Sequence, residues 1–378
     1  MEKLIYFDHA ATSWPKPPAV REAMCRATEY GGGNPGRSGH VLSVRAARGI
    51  YECREAVCSL FSFNKPERII FTQNATYALN TAICGLASPG AHIVISNLEH
   101  NSVLRPVHKL SQSGRITYSM FDATDDDDDE CVYCFKRVLR DNTRLAVITA
   151  ASNICGKILP IEKIAAVCHA RGIKLIVDGA QAGGVFPLNF SLSGADVLCL
   201  AGHKGLYGPQ GTGIMICGEN AEPESFAQGG NGINSEMYDM GDILPERLEA
   251  GTLNTPGLWG LCEGIKYVMR ETVEEIFGKT LLLTRYAAEG IANCRDVVSY
   301  GNYGVKAPVI LFNKKGMSPD ELASYLSDHG ICVRAGLHCA PIAHKACGTG
   351  VDGGVRVSFG HLNTRREIDR LLLAVNRA

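Results

Sequence analysis

Val197-Leu198-Cys199-Leu200 runs without a break into Ala201-Gly202-His203-Lys204-Gly205-Leu206-Tyr207-Gly208-Pro209. A short apolar run reads as a strand buried on both faces, and its glycine-rich tail reads as the loop at the strand's carboxyl end. One lysine is held between glycines in that loop. Upstream, a second apolar run at 173–177 ends on Val177-Asp178-Gly179-Ala180-Gln181, so an acid follows one strand as the lysine follows the other. A lysine can form a Schiff base, and an acid can keep a ring nitrogen protonated. Alone, Lys204 reads as a solvated turn residue and Asp178 as a helix cap; in matching positions they point to chemistry.

Outward from this pair, 68–72, 92–95 and 145–149 also read as strands. Between them lie helical stretches, one at 76–87 and one where Ile161, Ile164, Ala165 and Cys168 recur before the stop at Gly172. That alternation predicts an α/β fold with a mostly parallel sheet. Thr76, His100, Asn153, Asp178, Gln181, His203 and Lys204 all follow strands, on the rim where open α/β sheets bind ligands. Gln73-Asn74-Ala75-Thr76 sits between a strand and a helix, so the Ala75 amide and the Thr76 hydroxyl can cradle a phosphate. His203 is a second candidate donor. Beyond Pro256-Gly257, a helical stretch at 259–292, strands at 307–312, 331–333 and 355–359, and helices at 319–329 and from Arg365 predict a smaller α+β unit. The expected division is a large domain at 15–256, a small C-terminal domain at 257–378, and a segment at 1–14 packing near the active site.

The 378 residues carry 38 basic and 39 acidic side chains, a balance that gives no field for nucleic acid. No apolar run reaches the roughly 18–20 residues of a membrane span, and Asp8 and His9 interrupt any secretory leader, so a cytoplasmic protein is expected. The fifteen cysteines lie mostly in apolar runs and read as reduced, buried small hydrophobes. Cys131-Val132-Tyr133-Cys134 is a lone C-x-x-C at a helix start, and His338, Cys339, His344 and Cys347 match no common zinc spacing; no metal is expected. The acidic run at 125–130 reads as a surface turn or as the acidic first turn of a helix.

The longer segments around these residues resemble the class V aminotransferase family of fold-type I pyridoxal phosphate enzymes, and within it the cysteine desulfurases and selenocysteine lyases. The resemblance starts at Phe7-Asp8-His9-Ala10-Ala11-Thr12 and continues through Glu99-His100-Asn101, Ser152-Asn153-Ile154-Cys155-Gly156 and the Asp178 and Lys204 segments. It ends with Glu249-Ala250-Gly251-Thr252-Leu253-Asn254-Thr255 and Arg334-Ala335-Gly336-Leu337-His338-Cys339-Ala340. It implies a pyridoxal 5'-phosphate Schiff base on Lys204, Asp178 on the pyridine nitrogen and Gln181 on the phenolic oxygen. His100 would stack on the ring and act catalytically by relaying a proton, and Ala75, Thr76 and His203 would hold the phosphate. Thr252 would reach the phosphate of a second subunit, which implies a homodimer. Asn153 and Arg356 would bind the carboxylate of L-cysteine or L-selenocysteine.

In a desulfurase a cysteine thiolate takes sulfur from the substrate, leaving alanine and an enzyme persulfide. Cys339, in a polar, glycine-bearing loop before Pro341, is the residue in that position, and a sulfur or selenium acceptor would then be the partner. Against the family pattern, Ala201 replaces a small hydroxyl residue before His203, and Leu337 stands where a second histidine is usual. In Asn34-Pro35-Gly36-Arg37-Ser38-Gly39-His40 only Arg37 and His40 match, with Arg37 the further substrate candidate. The competing readings are a selenocysteine lyase and a non-catalytic scaffold of sulfur metabolism.

Overall fold

The structure is a computed structural model and describes residues 4–36, 39–233, 236–301 and 306–378. Its strands, in chain order, are β1 (Ile5–Tyr6), β2 (Ile69–Thr72), β3 (His92–Ser96), β4 (Thr117–Phe121), β5 (Thr143–Thr149), β6 (Lys174–Asp178), β7 (Val197–Ala201), β8 (Gly213–Cys217), β9 (Val297–Tyr300), β10 (Val309–Lys314), β11 (Ile331–Cys332) and β12 (Val355–Ser358). Seven of these form one sheet in the order β2-β8-β7-β6-β5-β3-β4. β4, β3, β5, β6 and β7 are parallel neighbours, and β8 runs antiparallel between β7 and β2. The fold is therefore the expected α/β architecture with a mostly parallel sheet.

β6 and β7 are covered on both faces, which is why they read as unbroken apolar runs rather than alternating ones. β8 has the same composition, and nothing local sets its direction. The short Gly- and Pro-rich connection 202–212 settles it, because a parallel return needs a longer crossover. β8 also passes close to the turn before Thr76: a Cβ on Gly213 would lie 2.4 Å from the Asn74 carbonyl carbon. From β5 the strand order steps through β6 to β7, and from β3 it steps the other way to β4. The crevice at the carboxyl ends of β3 and β5 is thus the topological switch point where such sheets bind ligands.

β9, β10 and β12 form a three-stranded antiparallel sheet, and β1 pairs with β11. Their core joins Leu283, Ala287, Ile291, Leu322, Leu371 and Val357, and also Ile5 and Phe7 from the N-terminal segment. The expected single helix over 259–292 is two helices, Thr255–Glu271 and Val273–Ala292, broken at Thr272 with φ 58°. The apolar period continues through the break, so sequence shows one helix. Packing separates them: Leu258, Leu261 and Ile265 enter the core of the large sheet, whereas Leu283, Ala287 and Ile291 enter the C-terminal core. Of the two readings of the acidic run, the helix start holds for its second half. Asp127 caps the helix Asp128–Arg137, and Lys163 Nζ lies 2.7 Å from Asp129 Oδ1.

All fifteen cysteines are free thiols, and only Cys25 and Cys339 are exposed. Cys131 and Cys134 sit one turn apart on the helix Asp128–Arg137, the first of them in the core. Among the described residues no helix is long and apolar enough to cross a membrane.

Candidate active site

β7 delivers the chain to Ala201, and the turn that follows is strapped down from the N-terminal segment. The His203 carbonyl accepts from Thr12 Oγ1 at 2.9 Å, Lys16 Nζ at 2.6 Å and the Ser13 amide at 3.2 Å. Ser13 Oγ donates to the Lys204 carbonyl at 2.8 Å. Lys204 itself is half-buried. Burial pushes its amine down to about 8 against the attraction of Asp178, so a useful fraction is unprotonated near neutral pH.

Lys204 opens on a cavity of ≈ 220 Å³ that also meets His100, Asp178, Gln181, Asn153 and Cys339. Asp178, the last residue of β6, accepts from the Ala180 amide at 2.9 Å through Oδ1. Burial raises its carboxyl, and a cationic N–H set against it would offset that cost. Gln181 donates to the Ala10 carbonyl at 3.0 Å. On the other wall, His100 caps the helix Asn101–Gln112. Burial, with Lys204, Arg334 and Arg356 nearby, pushes His100 down to about 4, so its ring is neutral.

At one end of the cavity the helix Ala75–Leu86 begins. Asn74 Oδ1 caps it by accepting from the Tyr77 amide at 2.9 Å. The Ala75 and Thr76 amides belong to the first turn, whose N–H groups have no intrahelical partner. Thr76 Oγ1 lies 2.8 Å from Ser102 Oγ, which lies 2.7 Å from His100 Nδ1. His203 lines the same end, and its Nδ1 is buried without a hydrogen-bond partner. These donors suit a phosphate monoester, and the orphaned imidazole nitrogen is an atom such a group would satisfy. Sequence reasoning missed Ser102. Its one signal was its place two residues after His100, where a hydroxyl can bond back to the helix start.

The third wall comes from the C-terminal unit. Arg356, fully buried on β12, directs Nη2 to Asp8 Oδ1 at 2.7 Å and Nη1 to the Asn153 carbonyl at 3.1 Å. Both Nη atoms of the guanidinium fork therefore already have a partner, and Nε is left unpartnered. Arg334, backbone-paired with Arg356, lines the cavity as well and was not among the expected site residues. The Asn153 side chain donates to the His338 carbonyl at 3.0 Å. Next to it, His338 and Cys339 both adopt left-handed backbone, with φ 48° and 58°. Two consecutive non-glycine residues in that region cost on the order of 1–3 kcal/mol each and need support from their surroundings.

One expected residue among those described is not brought to this cavity. Thr252 lines a separate one with Asn34, Gly36, Arg54 and Glu249, where Arg54 Nη2 pairs with Glu249 Oε2 at 2.7 Å. Arg37 lies outside the described residues.

Residues 5–371 match the family described as Aminotransferase class-V. A probable cysteine desulfurase of Mycolicibacterium paratuberculosis is 32% identical over 99% of the chain, although the chain spans only about half that relative's length, 55%. A probable cysteine desulfurase of Methanothermobacter thermautotrophicus is 32% identical over 97% of the chain and 92% of its own length. The apo structure of cysteine desulfurase from Thermococcus onnurineus NA1 superposes with a TM-score of 0.90 at 31% identity, covering 99% of this chain and 94% of that one.

Proposed function

The chain belongs to the class-V aminotransferase family, and from that premise we propose that it is a pyridoxal phosphate enzyme that takes sulfur from L-cysteine, leaving L-alanine and a persulfide on Cys339. The observation that carries this reading is the placement of Cys339. Of the two exposed cysteines, it is the one that faces the cavity floored by Lys204 and Asp178.

The residues present fit the cofactor: Lys204 to attach it, Asp178 for the ring nitrogen, Gln181 for the phenolic oxygen and His100 against the ring. The Ala75 amide, Thr76 and His203 fit its phosphate, and Ser102 extends that set. Pyridoxal phosphate supplies an electron sink that stabilises carbanions on a bound amino acid. Arg356, with Asn153 and Arg37, would hold the substrate carboxylate, Asp8 keeping the Arg356 guanidinium oriented meanwhile. Once displaced, Lys204 moves protons at Cα and Cβ, a role suited by an amine titrating at about 8. The Cys339 thiolate attacks the substrate sulfur; the new S–S bond forms as the Cβ–S bond breaks, and the carbon keeps the bonding pair and takes up a proton. An external thiol then accepts the outer sulfur and restores Cys339.

Thr252 reaches a phosphate only from a second copy of the chain, so the enzyme is a homodimer. Two features support this: Thr252 lines a cavity other than that of Lys204, and the helix Val41–Phe61 beside it carries the exposed apolar side chains Val41, Val44 and Tyr51.

Alanine production from L-cysteine and L-selenocysteine, each with and without a thiol reductant, tests the reading. Reductant-dependent turnover of cysteine is expected. Turnover of selenocysteine with none of cysteine would assign the lyase activity instead, and no turnover of either by protein showing the cofactor's visible band would leave only a scaffold.

A further inference from the structure

Two consecutive left-handed residues, His338 and Cys339, need support, and part of it comes from the segment that follows them. The His338 ring is buried and has a partner at each nitrogen: Nε2 lies 3.2 Å from the Arg334 carbonyl and Nδ1 lies 3.1 Å from His344 Nε2. His344, fully buried on the short helix Pro341–Cys347, places Nδ1 2.8 Å from Thr349 Oγ1. The two imidazoles lie edge to edge, with centroids 5.3 Å apart and planes at 14°.

A carbonyl can only accept, and this assigns every proton in the row. His338 Nε2 donates to Arg334, so Nδ1 of the neutral ring accepts; His344 Nε2 therefore donates, and its Nδ1 accepts from the Thr349 hydroxyl. Burial, and next the Arg356 charge, push His338 down to about 3 and His344 to about 4, so both rings stay neutral near pH 7. The backbone either side of Cys339 is pinned too: the His338 carbonyl accepts from Asn153 and the Cys339 carbonyl from the Asn101 amide at 2.8 Å. Asn101 follows His100, so the thiol's carrier is tied to both walls of the cofactor bed.

We infer that His344 is a positioning residue for Cys339: by donating to His338 Nδ1 it fixes the ring that holds the left-handed pair and keeps the thiol at the cavity rather than in open solvent. This deepens the desulfurase reading and rests on it for the consequence in turnover. It also makes a claim about thiol placement that does not depend on substrate. A side chain that keeps the donor near the position of Nε2 should preserve the effect, and one that lacks it should not.

The test compares wild type, His344→Gln and His344→Leu as holoenzymes. Two rates are read: alkylation of Cys339 by iodoacetamide, followed by mass spectrometry, and formation of alanine in a single turnover of L-cysteine. For His344→Leu, alkylation should be about fivefold faster, because the thiol escapes the cavity. Its single-turnover rate should fall about tenfold with unchanged KM and unchanged visible spectrum. His344→Gln should stay within about twofold of wild type in both. Equal behaviour of the two variants, or parallel loss of both rates with a lost cofactor band, would overturn the positioning role. If wild type makes no alanine, the desulfurase reading fails, while the alkylation contrast still decides the role of His344.

Discussion

Around Lys204 the backbone is held by residues far away in sequence: Thr12, Ser13 and Lys16 supply the donors to the His203 and Lys204 carbonyls. Around Cys339 the ring contacts come from the same short segment, through His338, His344 and Thr349. The first region is a glycine-rich turn at the end of a core strand, with one left-handed residue, Tyr207 at φ 55°, three places beyond the lysine. The second is an exposed residue on strained backbone, tied to the rest through Asn153 and Asn101. The difference assigns separate tasks. Under the proposed function the lysine turn would belong to the bed that attaches the cofactor and serve Cα, whereas the cysteine loop would decide what leaves Cβ.

The two regions should fail differently. Lys204→Ala is expected to lower alanine formation by roughly 10³-fold or more, with loss of the visible band of the bound cofactor, checked by absorbance and product assay. Cys339→Ser should cost roughly 10²-fold or more in cysteine turnover with that band intact; a lost band would mean that the loop also builds the bed. Lys16→Gln should cost about tenfold in kcat and leave the rate of Cys339 alkylation unchanged, since it loosens the lysine turn alone. Altered alkylation there would merge the two regions into one.

The smallest effect is a pH profile. With Lys204 at about 8, the neutral amine that captures pyridoxal phosphate becomes roughly fivefold more abundant between pH 7 and 8 and less than twofold more between pH 8 and 9. Cofactor capture by apoprotein, followed by absorbance, should level off accordingly. A rate still climbing about tenfold per unit through pH 10 would place the lysine at its ordinary value.

The strand ends were legible in the sequence because buried parallel strands read as apolar runs and the polar residues beyond them share a rim. Lys204, Asp178, His100 and Thr76 thus come to one cavity as the pattern implied, and Cys339, singled out by the family resemblance, lines it too. What the sequence hid was set by packing and by side-chain partners that no local pattern shows. Thr272 breaks a helix whose apolar period never falters, because its two halves serve different cores. Asp8 occupies the Arg356 fork across the whole length of the chain. His344 and Cys347 looked like stray metal ligands beside Cys339, and His344 proves to be a hydrogen-bonding partner of His338.

Under the proposed function, sulfur leaves the substrate through Cys339 while the Lys204 bed serves the chemistry at carbon. Mass spectrometry of the Cys339 peptide after a single turnover of L-cysteine, without reductant, tests it directly. The account predicts one added sulfur atom on Cys339 in proportion to the alanine formed; alanine formed with Cys339 unmodified would contradict it.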